Sequence, residues 1–389
     1  MPVYLDHNAT TPVDPRVRDA MQPWLTDRYG NPSSRDHALG WDAEEAVAEA
    51  RAVVAGLVQG QAGELIFTSG ATEGLNTALR SFVGYRDWDR KRIITCATEH
   101  DAVLAPCRRL AELTGVEVQV LPVDGLGHVD LDRLEAVLGA SDKATLVAIM
   151  AANNETGTLH PVRKIAEVVH AAGAVFLCDI TQAVGKVAVN LHEEGIDLAA
   201  FSAHKVYGPK GVGALFVRGG VSQTRLEPLI LGGGQEQGFR GETLNVPGIV
   251  GFGEACRIAQ NGWQGEAERV GRLRDRLEQT LLAELPDTWV NGDRENCIPN
   301  TTNIGFAGID ARTLIRDMHD IAVSTRSACS SGSSGPSHVL KALGLSDDEA
   351  QACIRFSLGR FSTLDDVDYA VANIMASVHR LRAGGVSGR

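Results

Sequence analysis

The sequence predicts an α/β protein with a large unit built on a mainly parallel seven-stranded sheet and a second, smaller α+β unit. Three observations carry that prediction. Between about residues 60 and 260, short β-rich runs alternate with longer stretches of helical period, the pattern of βαβ units whose helices cover a parallel sheet. After about residue 260 the texture changes to a long charged helical stretch and a few separated strands. At 389 residues and 41.4 kDa, the chain is also longer than one ordinary hydrophobic core serves. The division expected is residues 13–260 for the large unit, with 1–12 and 261–389 forming the small one.

Taken in order, ELIFTS (64–69), RIITC (92–96), VEVQVLP (116–122), LVAIMA (146–151), AVFLCD (174–179), LAAFS (198–202) and GALFV (213–217) are the strands of the large unit. Helices are expected between them, among them DAVLAPCRRLAELTG and PVRKIAEVVHAAG. The latter opens with Pro161 at a favoured first-turn position and closes on Gly173. In the small unit the charged helix GEAERVGRLRDRLEQTLLAEL precedes strands near NTTNIGFAG and CIRFSLGRF, and LDDVDYAVANIMASVHRLR forms a final helix. There is no internal repeat. The one low-complexity stretch, SACSSGSSGPS at 327–337, reads as a mobile loop with a single cysteine, Cys329.

Composition narrows the function classes. With 44% hydrophobic and 22% charged residues, the chain is expected to fold throughout. A net charge of −12 argues against non-specific attraction to nucleic acid or anionic membranes. The start MPVYLDHNATT lacks the charged and apolar regions of a secretory signal. No apolar run reaches spanning length, since even LVAIMAA stops at Asn153. Seven cysteines with no CxxC pair fit neither a disulfide framework nor a zinc site, so a reducing, cytoplasmic compartment and no metal are expected.

The candidate chemistry gathers at strand ends. Lys205 follows the apolar run LAAFS directly, where a lysine can be held at a fixed point, whereas Lys210 lies in a Gly/Pro turn and is the weaker candidate. Asp179 ends AVFLCD, with Gln182 three residues on. Such an aspartate can hold a proton on a pyridine nitrogen, although an isolated Asp there is more often a helix N-cap. TSGATEGLN after ELIF offers backbone N–H groups at Ala71 and Thr72 to a phosphate, or is only a turn and cap; Ser202 and His204 flank the same place. Together these are what pyridoxal 5′-phosphate requires.

Three further residues are singled out. His100 in TEHDAV can stack on the ring or exchange protons, or be a structural loop histidine. Arg355, in the apolar strand CIRFSLGRF, implies a buried anion: a substrate carboxylate, or a structural Asp or Glu. Cys329 lies in polar surroundings that favour reactivity, unlike apolar settings such as that of Cys178, and Arg326 sits three residues before it.

The ordered segments YLDHNATTPVD, GNPSSRDHALGWDAEEAV, FTSGATEGLN, TEHDAV, NNETG, CDITQAVGK, SAHKVYGPKGVGALFV, GGGQEQGFRGETLNVPGIVGFGEA, STRSACSSGSSGPSHVLKALG and IRFSLGRF span essentially the whole chain. In this order they closely resemble the cysteine desulfurases, pyridoxal-phosphate enzymes of the class V aminotransferase group. The resemblance implies aminotransferase fold type I and a homodimer. It implies Lys205 as the Schiff-base lysine, Asp179 as the pyridinium partner, Gln182 at the ring hydroxyl, and Asn154 as a further cofactor contact. His100 would stack on the ring and move protons, while Ala71, Thr72, Ser202 and His204 would hold the phosphate, with Thr243 reaching in from the second subunit. Arg355 would bind the substrate carboxylate and Cys329 would accept sulfur as a persulfide.

Two positions depart from the family pattern. Arg326 stands where a glycine is usual before the nucleophile, which bears on loop mobility, and Glu242 stands where a small residue usually precedes the phosphate-binding threonine. The expected reaction turns L-cysteine into L-alanine with sulfur left on Cys329, for an acceptor in iron-sulfur cluster assembly, tRNA thiolation or DNA phosphorothioation. A selenocysteine lyase or aminotransferase of the same fold, and a catalytically silent scaffold, are the alternatives.

Overall fold

A computed structural model describes residues 2–84, 87–224, 226–325 and 335–384. Twelve strands are formed among these residues: β1 (Val3–Tyr4), β2 (Leu65–Thr68), β3 (Lys91–Cys96), β4 (Glu117–Leu121), β5 (Ala144–Ala148), β6 (Val175–Asp179), β7 (Leu198–Ser202), β8 (Gly213–Val217), β9 (Thr288–Asn291), β10 (Thr301–Phe306), β11 (Ile321–Ala322) and β12 (Cys353–Ser357). The seven strands read from the apolar runs are β2 to β8, and they form one sheet in the order β2-β8-β7-β6-β5-β3-β4. Strands β4, β3, β5, β6 and β7 are parallel, and β8 is antiparallel to both its neighbours. Because β8 reverses direction twice over, β2 runs with β7. The carboxyl ends of β2, β3, β5, β6 and β7 therefore share one edge of the sheet.

Alternation along each strand explains why the sheet is covered on both faces. Leu65, Phe67, Ile94, Val147, Phe176, Cys178 and Phe201 enter one apolar layer. Their neighbours Ile66, Ile93, Leu146, Ala148, Leu177 and Ala200 enter the other, where the helices Ala71–Val83 and Asp101–Thr114 pack. A separate core collects Leu5, Ile304, Phe306, Ile354 and Phe356 beside the final helix Leu364–Gly384. It adjoins the antiparallel sheet β12-β10-β9 and the pair β1-β11.

The expected boundary near residue 260 falls inside one continuous helix, Val246–Glu284. Its first turns bury Ile249, Phe252 and Cys256 in the large core, and its last turns bury Val270, Leu277 and Leu281 in the small one. The helix opens at Val246 rather than near Gly265, with the Asn245 side chain capping Gly248 N–H. Glycines 248, 251 and 253 weaken any helix reading of this stretch. Packing explains them: a Cβ on Gly253 would stand 2.9 Å from Ala50 Cα, on the helix Ala38–Leu57. A smaller difference is Pro161, which is the N-cap of Val162–Ala171 rather than a residue of its first turn. Among the described residues, no helix is long and apolar enough to cross a membrane.

Candidate active site

The shared carboxyl edge opens into a cleft of about 680 Å³, counting space open to solvent. The helix Ala71–Val83 begins there because β2 ends in a glycine turn that needs a close backbone approach. A Cβ on Gly213 would lie 2.6 Å from Gly70 Cα. Ser202, the last residue of β7, accepts a hydrogen bond from Ala71 N–H at its Oγ (2.7 Å), which fixes the helix start against the neighbouring strand. Ala71 and Thr72 line the cleft, so the positive end of the helix is presented to it.

Strands β6 and β7 are adjacent, and their ends carry Asp179 and the short turn Ala203–Lys205. Buried Asp179 uses Oδ1 to accept Thr181 N–H (2.9 Å), an N-cap-like contact, and it also lines the cleft. The N-cap contact thus leaves the carboxylate at the cleft wall. The Lys205 amine donates to the backbone carbonyls of Asn8 and Ala9, the latter at 2.9 Å. Lys210 is exposed and lies outside the lining. Gln182 is buried, with Nε2 donating to Asn8 O (3.0 Å) and Oε1 accepting from Lys186 Nζ (2.5 Å).

His100 caps the helix Asp101–Thr114, with Nδ1 accepting Ala102 N–H at 3.0 Å. In the neutral ring the proton is therefore on Nε2. Burial lowers the His100 pKa, and the charge of Lys205 lowers it further while Asp179 works the other way. His204 Nδ1 lies 3.1 Å from Thr10 Oγ1, and burial, then the Lys205, Lys210 and Lys186 charges, bring its pKa down to about 4. Arg355 is almost wholly buried; Nη1 donates to Asn154 O (2.9 Å) and Nη2 to Asp6 Oδ1 (2.6 Å). Its Nε has no hydrogen-bond partner among the described residues, so the structural ion pair with Asp6 is present and does not use up the guanidinium's donors. Asn154, His100, His204 and Arg355 all line the cleft.

Sequence reasoning assigned no role to several residues that the fold brings here. Asn8 and Ala9 hold the Lys205 amine although they stand almost two hundred residues away in the chain. Glu99, next to His100, is fully buried. Its Oε1 accepts from Met150 N–H (2.6 Å) and from the Cys96 thiol (3.4 Å), and its Oε2 is unpartnered among the described residues. Burial, with a smaller push from Asp179, raises the Glu99 carboxyl to about 8. The run DHNAT was the available signal for Asn8, because consecutive polar residues after a short strand imply buried hydrogen bonding.

Thr243 is exposed and does not line the cleft of its own chain; its N–H donates to Glu242 Oε1 at 3.1 Å, so the acidic neighbour caps the backbone here. Cys329 and Arg326 lie outside the described residues. Cys96, Cys107, Cys178, Cys256 and Cys353 are buried, and burial raises each thiol, to about 12 for Cys107 and Cys353. These thiols are poor nucleophiles. Among the described residues no cluster of His, Cys, Asp and Glu suits a metal ion.

This sheet and its cleft are those of the pyridoxal-phosphate-dependent aminotransferases of fold type I. Residues 3–370 match the family described as aminotransferase class-V. The cysteine desulfurase IscS of Anaeromyxobacter dehalogenans (strain 2CP-C) is 46% identical over 382 residues, covering 98% of this chain and 94% of that protein. A solved NifS-like protein superposes with a TM-score of 0.89 at 36% identity, covering 97% of this chain and 99% of its own. The structure of SspA in complex with cysteine gives a TM-score of 0.80 at 32% identity, over 92% and 99% of the two chains. The chain belongs to the cysteine desulfurases within the class-V aminotransferase family.

Proposed function

We propose that the cleft holds pyridoxal 5′-phosphate on Lys205 and that the chain converts L-cysteine to L-alanine while passing the sulfur to Cys329. One observation carries this assignment. The Lys205 amine and the Asp179 carboxylate stand at the ends of adjacent parallel strands, in a cleft that also takes in the helix start at Ala71–Thr72 and the buried Arg355. The residues suit the group: backbone N–H groups and Ser202 at one end for a phosphate, an acid for a pyridinium nitrogen, an amine for the aldehyde carbon. His204 would join the phosphate contacts as a neutral ring, and Asn154 and Gln182 would meet the cofactor from the segments that follow β5 and β6, with Gln182 at the ring hydroxyl.

Bound pyridoxal phosphate supplies an electron sink for the charge left at the cysteine Cα. The protein's own part follows from its side chains. Arg355 would orient the substrate carboxylate from its place in the cleft wall, while Asp6 and the Asn154 carbonyl hold the guanidinium in place. Asp179 would keep a proton on the ring nitrogen. Lys205 would take the Cα proton, and His100, neutral with its hydrogen on Nε2, would broker the proton of the substrate thiol. Attack by the Cys329 thiolate on the substrate sulfur forms an S–S bond and breaks the C–S bond. The bonding pair stays on carbon, which is protonated to give alanine, and Cys329 is left as a persulfide.

In this reading the protein is a cytoplasmic homodimer in which Thr243 of one chain would complete the phosphate site of the other. The sulfur passes to an acceptor in iron-sulfur cluster assembly, tRNA thiolation or DNA phosphorothioation, and persulfide transfer to candidate acceptors decides among them. The test of the chemistry is brief exposure of the loaded protein to L-cysteine without reductant. Alanine and one added sulfur on the Cys329 peptide are expected. Sulfur on another cysteine, or amino transfer to a keto acid in place of alanine formation, overturns the reading.

A further inference from the structure

Lys205 also borders a second, smaller cavity, whose walls include Lys186, His7, Tyr207, Glu266 and Arg360. Lys186 has no part in the chemistry above, yet it is tied to the site by a continuous hydrogen-bonded path. Its Nζ donates to Gln182 Oε1 at 2.5 Å, Gln182 Nε2 donates to Asn8 O at 3.0 Å, and the Lys205 amine donates to that same carbonyl. The direction of this path follows from chemistry. A backbone carbonyl only accepts, so the Gln182 atom facing Asn8 is the nitrogen, and the oxygen must face Lys186. Donors and acceptors are thus matched at both ends of one amide. Gln182 lines the cleft, and with its oxygen engaged by Lys186 it offers the cleft the second hydrogen of its NH₂ group.

We propose that Lys186 is a positioning residue that locks the Gln182 amide with its nitrogen toward Asn8 and the cleft, so that Gln182 meets the cofactor's ring oxygen only as a hydrogen-bond donor. This rests on the assignment of Gln182 to that oxygen made above. The surroundings suit a lysine that works as a donor and not as a second full charge beside Lys205. Burial first, then the charges of Lys205 and Arg355, shift Lys186 toward its neutral form, and Glu266 alone of the named neighbours opposes them. A neutral amine keeps hydrogens to donate. His7, on the wall of the same cavity, is itself held neutral, its pKa brought down to about 4 chiefly by burial. A donor on the ring oxygen stabilises its anionic form, so the locked amide lowers the pH at which the bound cofactor's visible absorption changes.

The experiment is a double-mutant cycle read by that pH midpoint in protein loaded with pyridoxal phosphate, beside thermal melts that report folding. Gln182→Leu is expected to raise the midpoint by about 1 pH unit or more, the scale of one hydrogen bond to a charged oxygen. Lys186→Met is expected to raise it in the same direction, and the double variant to match Gln182→Leu alone. Lys186→Gln, which keeps an amide donor one bond short, is expected to fall between wild type and Lys186→Met; if Lys186→Met does not fold, the cycle is run with Lys186→Gln, whose shift must likewise vanish in the Gln182→Leu background. Additive shifts, or an unmoved midpoint in the Lys186 variants, overturn the inference while leaving the site assignment standing. A wild-type chain that gains no visible band with pyridoxal phosphate overturns both.

Discussion

A lysine at a strand end becomes chemically distinct through what holds its amine. Lys205 is anchored by two backbone carbonyls from the segment Asn8–Ala9, whereas Lys210 is exposed. Lys205→Ala is therefore expected to abolish alanine formation, with Lys210→Ala close to wild type, as measured by alanine release from L-cysteine. A borohydride-reduced cofactor adduct mapping to Lys210 would sink this. Arg355→Lys keeps a cation for Asp6 but loses the planar fork. Cysteine KM is expected to rise by roughly tenfold or more, the scale of one charge-assisted hydrogen bond, with a smaller effect on kcat. An unchanged KM would reduce Arg355 to its ion pair. At this scale the sequence was informative wherever a residue's position relative to its own strand set its place in the cleft, as for Asp179, Lys205, Ser202 and His100. It was silent on Asn8, Glu99 and Lys186, whose roles arise from contacts between segments that only folding brings together.

Elements were legible in proportion to how local their causes are. The seven strands of the large sheet follow from compact apolar runs, and their shared edge follows from the βαβ pattern, so the place of the site could be read before its contacts. The helix Val246–Glu284 was misjudged at its start because its glycines carry information about a neighbour, the helix Ala38–Leu57, and not about helix propensity. Two substitutions in this one helix separate the effects. A methyl group added at Gly262 would meet nothing within 4 Å, so Gly262→Ala is expected to stabilise by about 0.5 to 1 kcal/mol. Gly253→Ala drives a methyl to 2.9 Å from Ala50 Cα and Cβ and is expected to destabilise by about 1 to 3 kcal/mol despite the better propensity. Urea unfolding of the two variants reads both signs, and a stabilised Gly253→Ala would show that the helices separate without loss.

Across the whole molecule, burial sets two opposed dependences of stability on pH. His160 is buried with neither ring nitrogen hydrogen-bonded among the described residues, and burial, helped by His128, brings its pKa from 6.5 down to about 4. Its folded state binds fewer protons than its unfolded state between those values. The stability that its neutral form allows is thus complete above about pH 6.5 and is lost as pH falls toward 4, by about 3 kcal/mol in all. Glu99 has the opposite sign. Its carboxyl is raised from 4.5 to about 8, so the folded state holds a proton that the unfolded state gives up, and its contribution is complete below about pH 4.5 and lost as pH rises toward 8. In the 4.5 to 6.5 range the two slopes oppose each other, and the wild-type profile alone does not separate them. Differences against variants do. Relative to the wild-type apoprotein, His160→Phe is expected to gain stability progressively as pH falls from 6.5 to 4, because it has no proton to take up. Glu99→Gln is expected to gain as pH rises from 4.5 to 8, because it has none to give up. Urea midpoints of the three apoproteins across pH 4 to 8 measure both slopes. Parallel curves for wild type and Glu99→Gln would mean that Glu99 is ionised in the folded protein and that its unpartnered oxygen is met by a hydrogen-bond donor such as water.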